Sequence, residues 1–115
     1  MQTRKVIFAA LAGSLLVFGC NRAESPGEVQ EDVADARQDA AEQSSEAREE
    51  VATSETPGQV MENEYDLAIT EAEGKHQVAM EACEAMTGTE QEACKARADE
   101  ELAAAKQRAE SLKPQ

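Results

Sequence analysis

After Phe18 the chain has no Phe or Trp and a single Tyr, Tyr65, and alanine fills most of its remaining apolar positions. Alanine contacts remove little area from water, at roughly 25 cal/mol per Å². This argues against a compact enzyme with a deep pocket and for an all-α architecture built on thin apolar stripes. At 115 residues one domain at most is expected. With 24 acidic and 11 basic side chains the net charge is −13. Such acidity argues against nucleic-acid binding, which sets Lys and Arg against phosphate.

The helical signal lies in three segments. Across Glu28–Thr53 there is no Pro or Gly, and Val29, Val33, Ala36, Ala40, Ser44, Ala47 and Val51 recur at steps of three and four. Two successive eleven-residue spans run through this stripe. The stripe is thin, and a helix without packing is marginal in water. Residues 20–58 therefore read as an acidic tether, with either a helix over 28–53 or a fluctuating disordered stalk. Residues 24–66 hold 14 acids against Arg37 and Arg48 alone. Ser25-Pro26-Gly27 and Pro57-Gly58 read as breakers on either side.

From Gln59 the period returns with Met61, Tyr65, Ala68, Ala72, His76, Ala79, Cys83 and Met86, flanked by Ile69 and Val78. Gly74 falls inside and costs up to about 1 kcal/mol against Ala, which marks a soft spot. Gly88 suits the left-handed residue that closes a helix, and Thr89 with Glu92 fits the capping box that opens the next. Cys94, Ala98, Leu102, Ala105, Ala109 and Leu112 continue the pattern until Lys113-Pro114. The expectation is an antiparallel helical hairpin over 59–113, with helices at about 60–86 and 90–112. Cys83 lies five residues before Gly88 and Cys94 six after it, so the hairpin faces them toward each other. A disulfide there closes a twelve-residue loop (Cys83 to Cys94 inclusive). The alternative is a pair of free thiols, although a Cys-x-x-Cys redox motif is absent.

The first nineteen residues read as an export signal. Arg4 and Lys5 precede an apolar run over 6–18, which is too short to span about 30 Å of hydrocarbon. Leu16-Val17-Phe18-Gly19-Cys20 resembles the lipobox of bacterial lipoprotein precursors. The resemblance implies cleavage before Cys20, acylation of that cysteine and attachment to a membrane of the cell envelope on its periplasmic side. Asn21 in place of Asp leans toward the outer membrane. Removing Cys20 from the count leaves one pair, Cys83 and Cys94, in an oxidising compartment.

Residues 60–112 resemble a group of uncharacterised, alanine-rich exported proteins of proteobacteria. The shared pattern appears here as Tyr65, then Cys83-Glu84-Ala85-Met86-Thr87-Gly88, then Glu92-Ala93-Cys94-Lys95-Ala96 and an Ala-rich tail over 98–109. The resemblance implies an envelope location and no defined activity.

Chemistry is sparse. The chain has one histidine, His76, and no Gly-rich phosphate loop. Acid pairs such as Glu31-Asp32, Glu49-Glu50 and Glu100-Glu101 do acid–base work only in a pocket that separates their pKa values; solvated helix faces explain them. No catalytic residue, cofactor, metal site, nucleic acid or small-molecule substrate is expected. The expected role is a lipid-anchored structural or interaction protein, with the membrane as one partner through Cys20. A further protein or a second copy would meet its helices. The rival readings are a hydrophilic desiccation protectant and a self-associating coiled-coil spacer that pairs through residues 29–51.

Overall fold

The computed structural model describes residues 23–113. Cys20, the lipobox and the signal expected over 1–19 lie outside them. Within the described residues the chain is all helix and turn: α1 spans Pro26–Ala52, α2 spans Pro57–Cys83 and α3 spans Gly88–Glu110.

Two of the three helices start on the same local sequence. Ser25-Pro26-Gly27-Glu28 and Thr56-Pro57-Gly58-Gln59 both form capping boxes with Pro in the first turn. The Glu28 amide donates to Ser25 Oγ and the Glu28 carboxylate accepts from the Ser25 amide. Gln59 and Thr56 exchange the same pair of bonds. Proline is tolerated there because its missing N–H belongs to a group that a helix start leaves unpaired anyway. The breakers of the sequence are thus helix openers, so both helices start earlier than the periodicity alone gave.

α1 ends where Thr53 and Ser54 turn their hydroxyls back onto the carbonyls of Glu49 and Glu50. Asn63 of α2 donates to the Glu50 carbonyl and to Ser54 Oγ, which fixes the turn. After α2 the chain turns through 84–87, so Met86 leaves the helix it was expected to close. Gly88 then takes a φ of 59°. This is the left-handed conformation that glycine adopts without a Cβ penalty. The cap expected at Thr89 with Glu92 is displaced: Thr87 is the N-cap, and no side chain closes that end. The physical reason is Gly88, whose permissive backbone lets the helix begin one residue before Thr89 and carries Thr89 into the first turn.

The hairpin of α2 and α3 is present as expected and is antiparallel. α1, expected as a stalk leading away from it, instead folds back along the other side of α2. α1 and α3 share no contact, so the three helices form a single open layer with α2 in the middle. Every position of the α1 stripe is buried or half-buried, with Val29, Ala36, Ser44 and Ala47 the most enclosed. The stripe is consumed by α2.

α2 therefore carries two buried stripes on opposite sides. Ala72 and Cys83 face α3, where Ala98 and Ala109 meet them. Gly74 faces α1 and is itself buried. A Cβ built on Gly74 would lie 2.7 Å from the Ala40 Cβ and 3.4 Å from its Cα. Gly74 is thus a close crossing of α1 and α2, where the sequence had suggested only a soft spot.

Candidate functional site

Two regions gather chemistry. The first is the disulfide end of the layer. Cys83 Sγ is bonded to Cys94 Sγ with the Cα atoms 5.7 Å apart, and Cys83 is fully buried. This spacing is ordinary for a disulfide. Around it, Lys95 forms an ion pair with Glu84. Gln91 Nε2 donates to Glu84 Oε2 at 3.0 Å. The chain entering α1 docks here as well, since the Glu24 amide donates to the Glu84 carbonyl at 3.2 Å. Desolvation, and then the like charges of Asp32, Glu84, Glu28 and Glu81, raise the Glu24 carboxyl above its ordinary range. By contrast, hydrogen bonds from the Ser25 side chain and backbone lower the Glu28 pKa.

His76 is half-buried on α2 and its Nε2 lies 2.7 Å from Asp99 Oδ1 on α3. Farther along, Lys106 bonds Glu73 at 2.8 Å. At the far end Tyr65 donates to Glu110, and Lys113 sits over the Tyr65 ring, 4.6 Å from its centroid. The Lys113 bond is the first cause that lowers the Glu110 pKa, and Glu110 in turn raises that of Lys113. These pairs tie α2 to α3 along one side of the layer.

The second region is the opposite broad side, which carries two parallel grooves. One, of about 480 Å³, runs between α2 and α3 over Ala68, Ala79, Ala104 and Ala105. The other, of about 430 Å³, runs between α1 and α2 over Ala41 and Ser44. Glu71 and Lys75 of α2 line both, so they form the ridge between the grooves. Arg37 and Arg48 border the α1 groove and Arg108 the α3 groove. Arg48 bonds Glu71 at 2.6 Å. Among the described residues Arg37, Lys75, Arg97 and Arg108 have no ion-pair partner.

Helix geometry separates the charges further. Counting about 100° per residue from Ala40, which points at α2, Arg37 and Arg48 fall on the grooved side. Glu28, Asp32, Asp39, Glu46 and Glu50 fall on the other. The same count on α2 puts Glu62, Asp66 and Glu73 on that acidic side. One broad side is therefore strongly acidic, while the other mixes bases and acids over small side chains.

Compared with known protein families, curated proteins and solved structures, the chain matches none. No group of three metal-ligating side chains occurs among the described residues. No helix among them is long and apolar enough to cross a membrane. Periodicity located the disulfide, Gly88 and the α1 stripe. It missed the second stripe of α2, marked by Val60, Asn63, Leu67, Gly74 and Val78 at steps of three, four and seven. It also missed the repeated Ser/Thr-Pro-Gly-Glu/Gln starts.

The opposed pKa directions give an expected pH profile. Glu24 has a raised folded-state pKa, so protonating it favours the folded chain, and stability rises as pH falls toward that value. Glu28 and Glu110 have lowered values, so their contribution is present above the ordinary 4.5 and is lost as pH falls below it. The Glu24 contribution is expected to raise the melting temperature as pH falls from 7 toward the ordinary 4.5, and the loss of the Glu28 and Glu110 contributions to lower it below that value. Circular dichroism melts across that range check it, and a monotonic fall from pH 7 counts against the Glu24 cluster.

Proposed function

We propose that this chain is a lipid-anchored, non-catalytic protein of the bacterial cell envelope that acts by surface contact. The Cys83–Cys94 disulfide carries the reading. Such bonds persist in oxidising compartments outside the cytosol. The basic start, apolar run and lipobox-like Leu16–Cys20 supply a route there and a use for the third cysteine. The two resemblances named above point to the same compartment, with the outer membrane favoured by Asn21.

The fold changes how such an anchor would act. Glu24 is held at the disulfide end, and Cys20 precedes it by only four residues, about 14 Å of extended chain. An anchored layer would then stand with its disulfide end next to the membrane, on a tether of a few residues. The turn over 53–56 would lie about 40 Å away, the length of a 27-residue helix.

Mass spectrometry of the protein isolated from its native cells tests the proposal. The expected spectrum shows a chain beginning at Cys20, carrying acyl groups on that residue and lacking two hydrogens at Cys83 and Cys94. A chain that retains Met1, with all three thiols open to alkylation, overturns it.

A further inference from the structure

We propose that the grooved side of the layer is a self-association surface. A second copy of this chain covers it, so that two three-helix layers stack about a twofold axis into one six-helix body. The inference does not depend on the anchor: a reversed pair carries its two disulfide ends at opposite ends of the body, so with both lipids in one membrane it would lie along the surface, whereas a single anchored layer stands.

Helical domains reach stability by packing one layer of elements on another, yet here α1 and α3 touch only α2 and the layer stays open. The stripe over residues 29–51 is consumed by α2, so association cannot use it without unfolding the layer. Two broad sides remain. The acidic side cannot meet itself, because carboxylates would face carboxylates, Asp39 against the Glu46 of the other copy among them. On the grooved side the same axis brings Arg37 toward the Arg48 of the other copy, but Arg48 is already paired with Glu71. The bases and acids of the grooved side are near balance, and its grooves are floored by alanine, which lets a second set of helices approach closely.

Its charges also match their own reversed copy. Glu71 and Lys75 on α2, and Glu101 and Arg108 on α3, are unlike charges bordering the grooves, and the midpoints of the two pairs lie nearly level, since Glu73 meets Lys106 and His76 meets Asp99. A twofold axis across the helices reverses them and sets each charge against its opposite on the other copy, as an isologous interface requires. The area suffices as well. Helices of 27, 27 and 23 residues, rising about 1.5 Å per residue and spaced about 9 Å apart, give a side of roughly 1,000 Å². A stable interface buries about 800 Å² per partner. Stacking in this sense turns both acidic sides outward, as far apart as the body allows.

Sedimentation equilibrium of the full chain in density-matched detergent, with the disulfide closed, tests the proposal. The expected species is a dimer. Ala41→Glu with Ala104→Glu, which puts a carboxylate on the floor of each groove, is expected to weaken it at least about tenfold. Ala103→Glu, on the opposite side of α3, is expected to leave it unchanged. Arg108→Glu alone is expected to weaken the dimer, and adding Glu101→Arg to restore it; the two residues are seven apart on α3, beyond the three- and four-residue spacing at which charges on one helix couple, so the rescue reads the interface. A monomer at about 100 μM, a dimer indifferent to the groove substitutions, equal sensitivity to Ala103→Glu, or no rescue by the double reversal overturns the proposal. The first of these results would leave the grooved side to a different protein.

Discussion

Opening the Cys83–Cys94 bond is expected to lower the free energy of unfolding by about 3 kcal/mol, the chain-entropy value for a loop of this length. For a domain of this size about 1 kcal/mol moves the melting temperature by roughly 4–8 °C, so the expected drop is roughly 12–24 °C. The effect is large because little else holds the hairpin. Apart from the fully buried Cys83, the buried side chains spaced along the α2–α3 seam are only Ala72, Ala98 and Ala109. The Lys106–Glu73 ion pair and the His76–Asp99 hydrogen bond are partly solvated, and exposed ion pairs contribute about 0–1 kcal/mol. Melting followed by circular dichroism, with and without a phosphine reductant, reads the shift directly. Replacing both cysteines by alanine should reproduce it, since alanine leaves no unpaired polar group beside Ala98. A shift below about 4 °C would mean that the alanine interface holds α3 unaided.

The second large effect is expected at Gly74. Gly74→Ala should stabilise an isolated helix by up to about 1 kcal/mol through propensity alone. In this layer the new Cβ would sit 2.7 Å from the Ala40 Cβ, closer than two carbons can stand. The helices must then part, at a cost of about 1–3 kcal/mol for an overpacked contact. The clash is expected to outweigh the propensity gain, because separating α1 from α2 also exposes Val29, Ala36 and Ala47. The decisive measurement is a double-mutant cycle. Ala40→Gly alone should destabilise by about 1 kcal/mol. Combined with Gly74→Ala it moves the one glycine of the crossing from α2 to α1 and should restore stability close to the native value. Additive losses in the double variant would place the crossing elsewhere on α1. The same cycle separates a packed α1 from a free stalk, since a stalk would gain from Gly74→Ala.

Much of this arrangement is legible in the residues. The stripe from Val29 to Val51 has one register that places all seven positions on a single side, and the structure buries that side. The hairpin follows from Gly88 between two cysteines at nearly equal distances. Local hydrogen bonding explains both, because a period of 3.6 residues and a glycine with positive φ are properties of the neighbouring chain. The misreadings are local in origin as well. Ser25-Pro26-Gly27 and Thr56-Pro57-Gly58 interrupt the apolar period, and an interruption looks the same whether it loosens a chain or caps a helix. The answer lay one residue further on, in Glu28 and Gln59, whose side chains complete the caps.

The sequence by itself determined that this chain is helical, where its hairpin turns and which cysteines meet. Each of these depends on groups within about a dozen residues of one another, and short loops close at little entropic cost. Only the tertiary structure decided that α1 returns along α2 and that the layer is left open, with its charges sorted onto two sides. That outcome depends on Gly74 admitting Ala40, two residues 34 positions apart whose contact leaves no periodic trace. A missing methyl group reads as a weak point along a helix and acts as a docking point only once a second helix lies against it.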